Sequence, residues 1–359
     1  MKRRAGASLA GLWLAATAAW AQDSAGLYQW AEEPTSAIRW ECELLLQGDR
    51  VTGLPGGRDD LERARGRLRA GLLWDDGDRF EAGAALLLSQ SSDSDAASLP
   101  NNDNARADHA GLDALWLAWR GAHGRVQVGK RALGLSLTPL LWDSDLRPAG
   151  FEFGLDRAAG FDRWSLVGGA WVLEHPLGGD ARLQALQGGF HWREGATTSA
   201  SVLVGLLRFD QLDGLASAGL GRGNGVVQGR YLEDFRLLDL QIGLRRQLAA
   251  GTLDLRLDLV RNLGADEARN GARFSAVLGD RFVPGQWEFG YAVQRIQRDA
   301  VLAAVNADDW WFHAGARGHM PWVGRGFGDW SLRLAMFLER RDGLDRTTRR
   351  LLLDLERRW

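Results

Sequence analysis

Cysteine is almost absent. Cys42 stands alone in 359 residues, so no disulfide can close within the chain, and a small apolar side chain on a strand is its simplest role. Lysine is nearly as scarce: Lys2 and Lys130 stand against arginine everywhere else. Tyrosine occurs 3 times and tryptophan 17 times. Beyond the opening segment no apolar run approaches the ~20 residues of a spanning helix. There is no basic tail or stripe, and the formal net charge is −2, which argues against a nucleic-acid partner. The histidines, His109, His123, His175, His191, His313 and His319, are scattered without metal-ligand spacing. Ser201 and Ser331 lie outside any Gly-x-Ser-x-Gly elbow. Gly221-Arg222-Gly223-Asn224-Gly225 is followed by no helix pattern, which removes a phosphate cradle. Neither a metal, nor a cofactor, nor a catalytic set is expected.

Residues 1–21 read as an export signal. Lys2, Arg3 and Arg4 form a basic start, an apolar stretch follows from Leu9 to Trp20, and Ala19-Trp20-Ala21 is a small-x-small cleavage site. Without it, 44 basic residues less those three face 46 acids, and the net charge moves from −2 to −5. Residues 22–359 are expected to form a single β-domain.

That expectation rests on alternation. In a strand successive side chains point to opposite faces. At the end of the chain Leu351, Leu353, Leu355 and Trp359 share one face, while Leu352, Asp354, Glu356 and Arg358 share the other. Near the start, Ile38, Trp40, Cys42, Leu44 and Leu46 oppose Arg39, Glu41 and Glu43. Arg63, Arg65, Arg67 and Arg69 then oppose Leu68, Ala70, Leu72 and Trp74. Further on, Asp254, Arg256 and Asp258 alternate with Leu253 to Leu259, and Ser331, Arg333 and Glu339 with Trp330 to Leu338. Four arginines in register would each cost roughly 2–4 kcal/mol facing lipid near a bilayer midplane, and little facing water. They are therefore expected to line a lumen, together with Arg39, Glu41, Glu43, Asp254, Arg256, Asp258 and Arg333. The stretch from Arg163 to Leu173 fits either face.

About sixteen such stretches follow one another, including candidates at 163–174, 182–193, 197–209, 235–247, 251–263, 270–282, 286–298, 308–319, 328–340 and 348–359. Short connections such as 248–251 and Pro284-Gly285 alternate with long ones such as 89–108, 132–150, 211–234 and 299–307. The long polar segment Ser89 to Asp108 reads as an exposed loop. An even strand number, ~10-residue strands and tryptophan in excess predict an all-β transmembrane antiparallel barrel with short turns at one end, long loops at the other, and a water-filled bore. A soluble β-sandwich is the structural rival, since its strands also alternate.

Gly129-Lys130-Arg131 followed by Trp142-Asp143-Ser144-Asp145-Leu146-Arg147-Pro148-Ala149-Gly150 resembles a porin family of Gram-negative outer membranes. In that family a strand ending in Gly-Lys precedes a loop of this pattern. The resemblance implies an outer-membrane channel for small hydrophilic solutes, with lipid around the barrel. It also implies recognition of the closing strand, ending at Trp359, by the barrel-assembly machinery, and a homotrimer as in general porins. The segment is the third long loop, which in general porins narrows the bore. Asp143, Asp145 and Arg147, with Lys130 and Arg131, are thereby candidates for the constriction. Asp and Ser also cap turns, so a structural role competes with this. Two other functions stay open: a hydrolase on a similar barrel, with its dyad assembled across strands, and a surface-binding or adhesion barrel working through its loops.

Overall fold

The computed structural model describes residues 37–159, 162–195 and 197–359; the expected export signal lies outside them. Nine strands come first: β1 (Ala37–Thr52), β2 (Leu61–Asp75), β3 (Phe80–Ser91), β4 (His109–Arg120), β5 (Gly124–Lys130), β6 (Ala149–Ala159), β7 (Asp162–Glu174), β8 (Asp180–Glu194) and β9 (Thr198–Asp210). A small hairpin of β10 (Val226–Val227) and β11 (Arg230–Tyr231) interrupts them. The series resumes with β12 (Phe235–Leu248), β13 (Gly251–Asn262), β14 (Asn270–Gly279), β15 (Trp287–Ile296), β16 (Ala316–Phe327), β17 (Trp330–Arg341) and β18 (Thr348–Arg358). All but the small hairpin form one closed antiparallel barrel of 16 strands, each paired with its sequence neighbour, and β1 meets β18 at the seam. Helix is confined, among the described residues, to short turns such as α1 (Asp95–Ser98) and α2 (Asp213–Ser217).

Local chemistry fixes the turns at one end. Between β2 and β3 the Asp76 carboxylate accepts backbone N–H bonds from Asp78, Arg79 and Phe80 at 2.8–2.9 Å. Those donors hold its pKa below the ordinary range. Gly77, at φ 78°, takes the left-handed position that the turn needs.

The outer surface is apolar between two edges, and tryptophan is confined to the short-turn edge, where Arg157, Arg246, Arg325 and Arg357 accompany it in the outward phase. Trp40, Trp74, Trp119, Trp164, Trp192, Trp287, Trp330 and Trp359 share the outward phase, all within three residues of the short-turn ends of their strands. At the long-loop ends the outward phase carries Arg50, Lys130, Arg182, Arg208, Arg236, Arg261, Arg295, Arg317, Arg340 and Arg349, each within two residues of the strand end. Eight to ten residues separate the edges on β15 and β17, which at ~3.3 Å per residue and a tilt of ~40° is about 20–25 Å. Leucine, valine and phenylalanine fill the band between them.

The interior departs from the expected open bore. Inward-facing Trp171, Leu173, Leu183, Leu207, Phe209 and Leu237 make one sector of the wall, on β7 to β9 and β12, apolar. Loop 131–148 and loop 297–315 fold inward onto it and bury Leu133, Leu135, Leu140, Leu141, Val301 and Leu302. Each such side chain contributes about 1.5–3 kcal/mol on leaving water, so the loops are held as a packed plug. Loop 92–108 also turns inward, with Ser98, Asp103 and Asn104 buried, rather than lying exposed as its polarity suggested.

The segment 308–319, expected as a strand, is mostly part of this plug. The backbone N–H groups of Trp311 and Phe312 donate to the Glu339 carboxylate of β17 at 2.8 and 3.0 Å, so they are not in the ladder, and the strand itself begins at Ala316. Strands β14 and β15 are also shorter than expected, because 280–286 forms a turn of its own.

Candidate functional site

Arg63, Arg65, Arg67 and Arg69 are alternate residues of β2 and all point inward, as their spacing requires. Across the ladder Asp49 faces Arg63, Gln47 faces Arg65, and Glu43 faces Arg69. Position along the strand then divides their roles. At the long-loop end the Arg63 side chain is 0% exposed, paired with Asp49 at 2.7 Å and Asp103 at 2.6 Å. Asp49 also holds Arg350 of β18 at 2.8 Å, so one carboxylate ties β1 to strands on both sides of it. The next three arginines stay wetted at 17–21% exposure. Arg65 pairs with Asp103; Arg67 pairs with Asp145 and, at 3.2 Å, with Glu43; Arg69 pairs with Asp113 at 2.7 Å and Glu43 at 3.5 Å.

Farther round the wall, Arg333 of β17 pairs with Asp354 of β18 at 2.6 Å and reaches Asp309 of loop 297–315 at 3.4 Å. Between this charged wall and the plug lies a cavity of ≈ 740 Å³. Arg65, Arg67, Arg69 and Arg333 line the wall side, while Asp145, Arg147, Asp308 and Asp309 come from the loops. The apolar sector attracts the loops, and the cavity lies on the charged side, toward β1, β2, β17 and β18.

Of the residues singled out in the third long loop, two reach the ladder. Asp145 pairs with Arg67. Burial alone would raise its pKa, but the guanidiniums of Arg67, Arg69 and Arg147 outweigh it and hold the carboxyl low. Arg147 reaches Asp113 at 3.7 Å; burial, with Arg69 nearby, lowers its pKa to about 10, and it remains a cation at neutral pH. Asp143 is different. Its carboxyl accepts from Asn104 Nδ2 at 2.7 Å and from the backbone N–H groups of Asp145 and Asp308 at 2.8 and 3.3 Å. Burial, followed by the neighbouring Asp308 and Asp145, pushes its pKa well above the ordinary range. It clasps the loops to each other and does not act as a free pore charge.

Lys130 corrects the expectation outright. It shares the outward phase of Val126 and Val128, lies opposite Leu115, and donates to the Leu112 carbonyl at 3.1 Å. Arg131 donates to Gln127 at 2.9 Å and stacks 4.1 Å over the Trp116 ring, and neither residue lines the cavity.

Among the other expected lumen residues, Arg39, Glu41 and Glu43 share the inward phase of β1, Glu41 and Glu43 at the cavity and Arg39 exposed at the short-turn end. Asp254 and Arg256 face inward on β13, opposite Arg245 and Gly243. Asp258 is inward but 1% exposed and accepts from Thr138 Oγ1, so it anchors loop 131–148 instead of meeting water.

Sequence reasoning missed Asp103, Asp113, Asp308 and Asp309. Asp103, Asp308 and Asp309 sit in loops whose inward folding carries no local signal, and Asp113 is the residue skipped where β4 shifts register against β3. It also missed that two scattered histidines converge. His175 Nε2 lies 3.4 Å from Asn104 Oδ1, and His313 bonds Asn306 at 2.6 Å and the Asn102 carbonyl at 2.7 Å. Burial and Arg222 hold both imidazoles neutral, with pKa values of about 3. Among the described residues no three His, Cys, Asp or Glu side chains gather as a metal-holding group.

The fold defines a class, the closed 16-strand antiparallel barrel narrowed from within by its own loops. Solved porins resemble the chain over nearly its whole length. OprB of Pseudomonas putida, in its high-pH structure, is 11% identical at a TM-score of 0.59, over 90% of this chain and 94% of that one. OmpF of Salmonella typhi, solved in complex with daunomycin, is 9% identical at 0.55, over 90% and 98%. An anion-selective porin from Comamonas acidovorans is 12% identical at 0.52, over 90% and 100%. At these identities the likeness is one of fold. No protein-family model matches the sequence, and no curated protein does.

Proposed function

We propose that the chain is an outer-membrane porin of a Gram-negative bacterium, a passive channel for small hydrophilic solutes. The observation that carries this reading is the charged cavity of ≈ 740 Å³: Arg65, Arg67, Arg69 and Arg333 of the barrel wall line it, each paired with a carboxylate of the wall or the loops, inside a barrel whose outside is apolar. Opposed charges set up a transverse field that orients polar solutes and disfavours apolar ones. The tryptophan edge and the band of about 20–25 Å support placement in a bilayer, with the short turns on the periplasmic side. The closing strand β18 would be the segment read by the insertion machinery.

A non-enzymatic role fits the inner wall. His191 lies opposite Ser201 across β8 and β9, and His191 Nε2 has no hydrogen-bond partner among the described residues, so the two form no nucleophile–base pair. Reversal-potential recordings in planar bilayers, across a salt gradient, test the proposal. Discrete conductance steps with finite ion preference are expected. A folded, inserted barrel that passes no current would overturn it.

A further inference from the structure

The long-loop edge of β15, β16 and β17 carries an arrangement that the passage does not use. Arg295 lies directly opposite Arg317, and Arg317 directly opposite Arg340. Opposed side chains stand about 5 Å apart at Cβ, and like charges at that distance repel. All three point outward, one row beyond Val293, His319 and Leu338 of the apolar band. Arg349 of β18, opposite Leu338, extends the row. Among the described residues the ion pairs of this row end with Asp342 on Arg295. A second like-charge pair, Arg208 opposite Arg236, has its own compensation in Asp210 at 3.0 Å and Asp234 at 3.6 Å. The β15–β17 row therefore holds a positive charge that the described residues leave unanswered, at the boundary of a surface made for hydrocarbon.

We propose that this row is a binding site for the headgroup of an outer-leaflet lipid carrying two phosphates. Guanidinium groups bind phosphate oxygens in pairs of parallel hydrogen bonds. The three arginines span two interstrand spacings, roughly 10 Å, which suits two phosphates on one headgroup better than one. Its acyl chains would lie on the adjoining face of Phe289, Leu334 and Met336, exposed side chains of β15 and β17. Tyr291 and His319, bonded to each other at 2.5 Å just inside the row, add polar contacts at the depth of the headgroup linkage. The inference rests on the outer-membrane reading above.

Native mass spectrometry of the whole barrel in detergent tests it. The probes are a diphosphorylated glucosamine lipid (lipid A) and the same lipid with both phosphates removed. The phosphorylated lipid should be retained, and the double variant Arg317→Gln/Arg340→Gln should bind it about 30-fold more weakly. Arg317→Lys/Arg340→Lys should fall between, and Arg208→Gln/Arg236→Gln should bind as wild type. Equal binding of the two lipids, wild-type binding by the Arg317/Arg340 glutamine variant, or displacement by inorganic phosphate at equal concentration would overturn the proposal. Conductance is recorded on the same samples. A conducting barrel without lipid selectivity refutes this site alone, whereas a lipid-selective barrel without conductance refutes the channel alone.

Discussion

Arg67 is the residue at which the passage is most directly tested, because it joins wall to loop. Its guanidinium pairs with Asp145 of loop 131–148 and Glu43 of β1. Arg67→Ala removes one positive charge and leaves both carboxylates facing the cavity. An ion passing about 5 Å away in a water-like dielectric feels roughly 0.8 kcal/mol from that charge, reduced to about 0.5 kcal/mol by screening in 0.1 M salt. That is about a twofold loss of local anion concentration and a similar gain for cations, so the permeability ratio should move about fivefold toward cations. The assay is reversal potential in a potassium chloride gradient, wild type against variant. Arg67→Lys, which keeps the charge, should leave the ratio nearly in place. An unchanged reversal potential in a conducting Arg67→Ala barrel would show that current does not pass this arginine. An equal shift in Arg67→Lys would show that shape, not charge, sets the preference.

Asp49→Ala should destabilise the barrel by about 3–5 kcal/mol, because it takes the ion-pair partner from the buried Arg350 and leaves Arg63 with Asp93 and Asp103 alone; urea unfolding of the refolded barrel measures this, and a loss below about 1 kcal/mol would remove the argument. The Asp143 carboxyl, raised above its ordinary value of 3.8 by burial and then by Asp308 and Asp145, contributes loop stability that is full below that value and declines as pH rises through the raised one. Amide exchange in loop 131–148, corrected for intrinsic rates, should therefore speed up from mildly acidic to mildly alkaline buffer, and Asp143→Asn should abolish the trend. Replacing 132–147 by a short glycine-serine connector should raise single-channel conductance at least about twofold, since the loop fills much of the bore; unchanged conductance would mean the plug lies off the ion path.

Alternation carried most of the barrel. On β1, β2, β13, β17 and β18 one face is apolar and the other charged, so phase, strand and lumen side could be read residue by residue. The charged ladder on β2 was legible for the same reason. The plug was not. Leu133, Leu135 and Leu137 alternate as a strand would, and Trp310-Trp311-Phe312 looks apolar enough for one, yet both segments bury their side chains inside the barrel without joining its ladder. The ambiguity from Arg163 to Leu173 was itself the trace of the apolar sector, because Trp171 and Leu173 face inward while Val172 faces out. No single strand states that its inner face awaits a loop from elsewhere. For Lys130 the family-like motif pointed to the bore, while the phase of Val126 and Val128 pointed outward, and phase decided.

The three-centred contact of Asp49 with Arg63 and Arg350 has a bearing on the order of assembly. Two of its members belong to the opening hairpin, and the third lies 301 positions downstream. During synthesis the first hairpin must wait, with its Asp49 carboxylate still short of a second guanidinium, until the last strand brings Arg350. Contacts between such distant positions are slow to form. Circularisation of the sheet is thus expected as a late and sharply timed event, with the nascent polypeptide held open until its final segment docks.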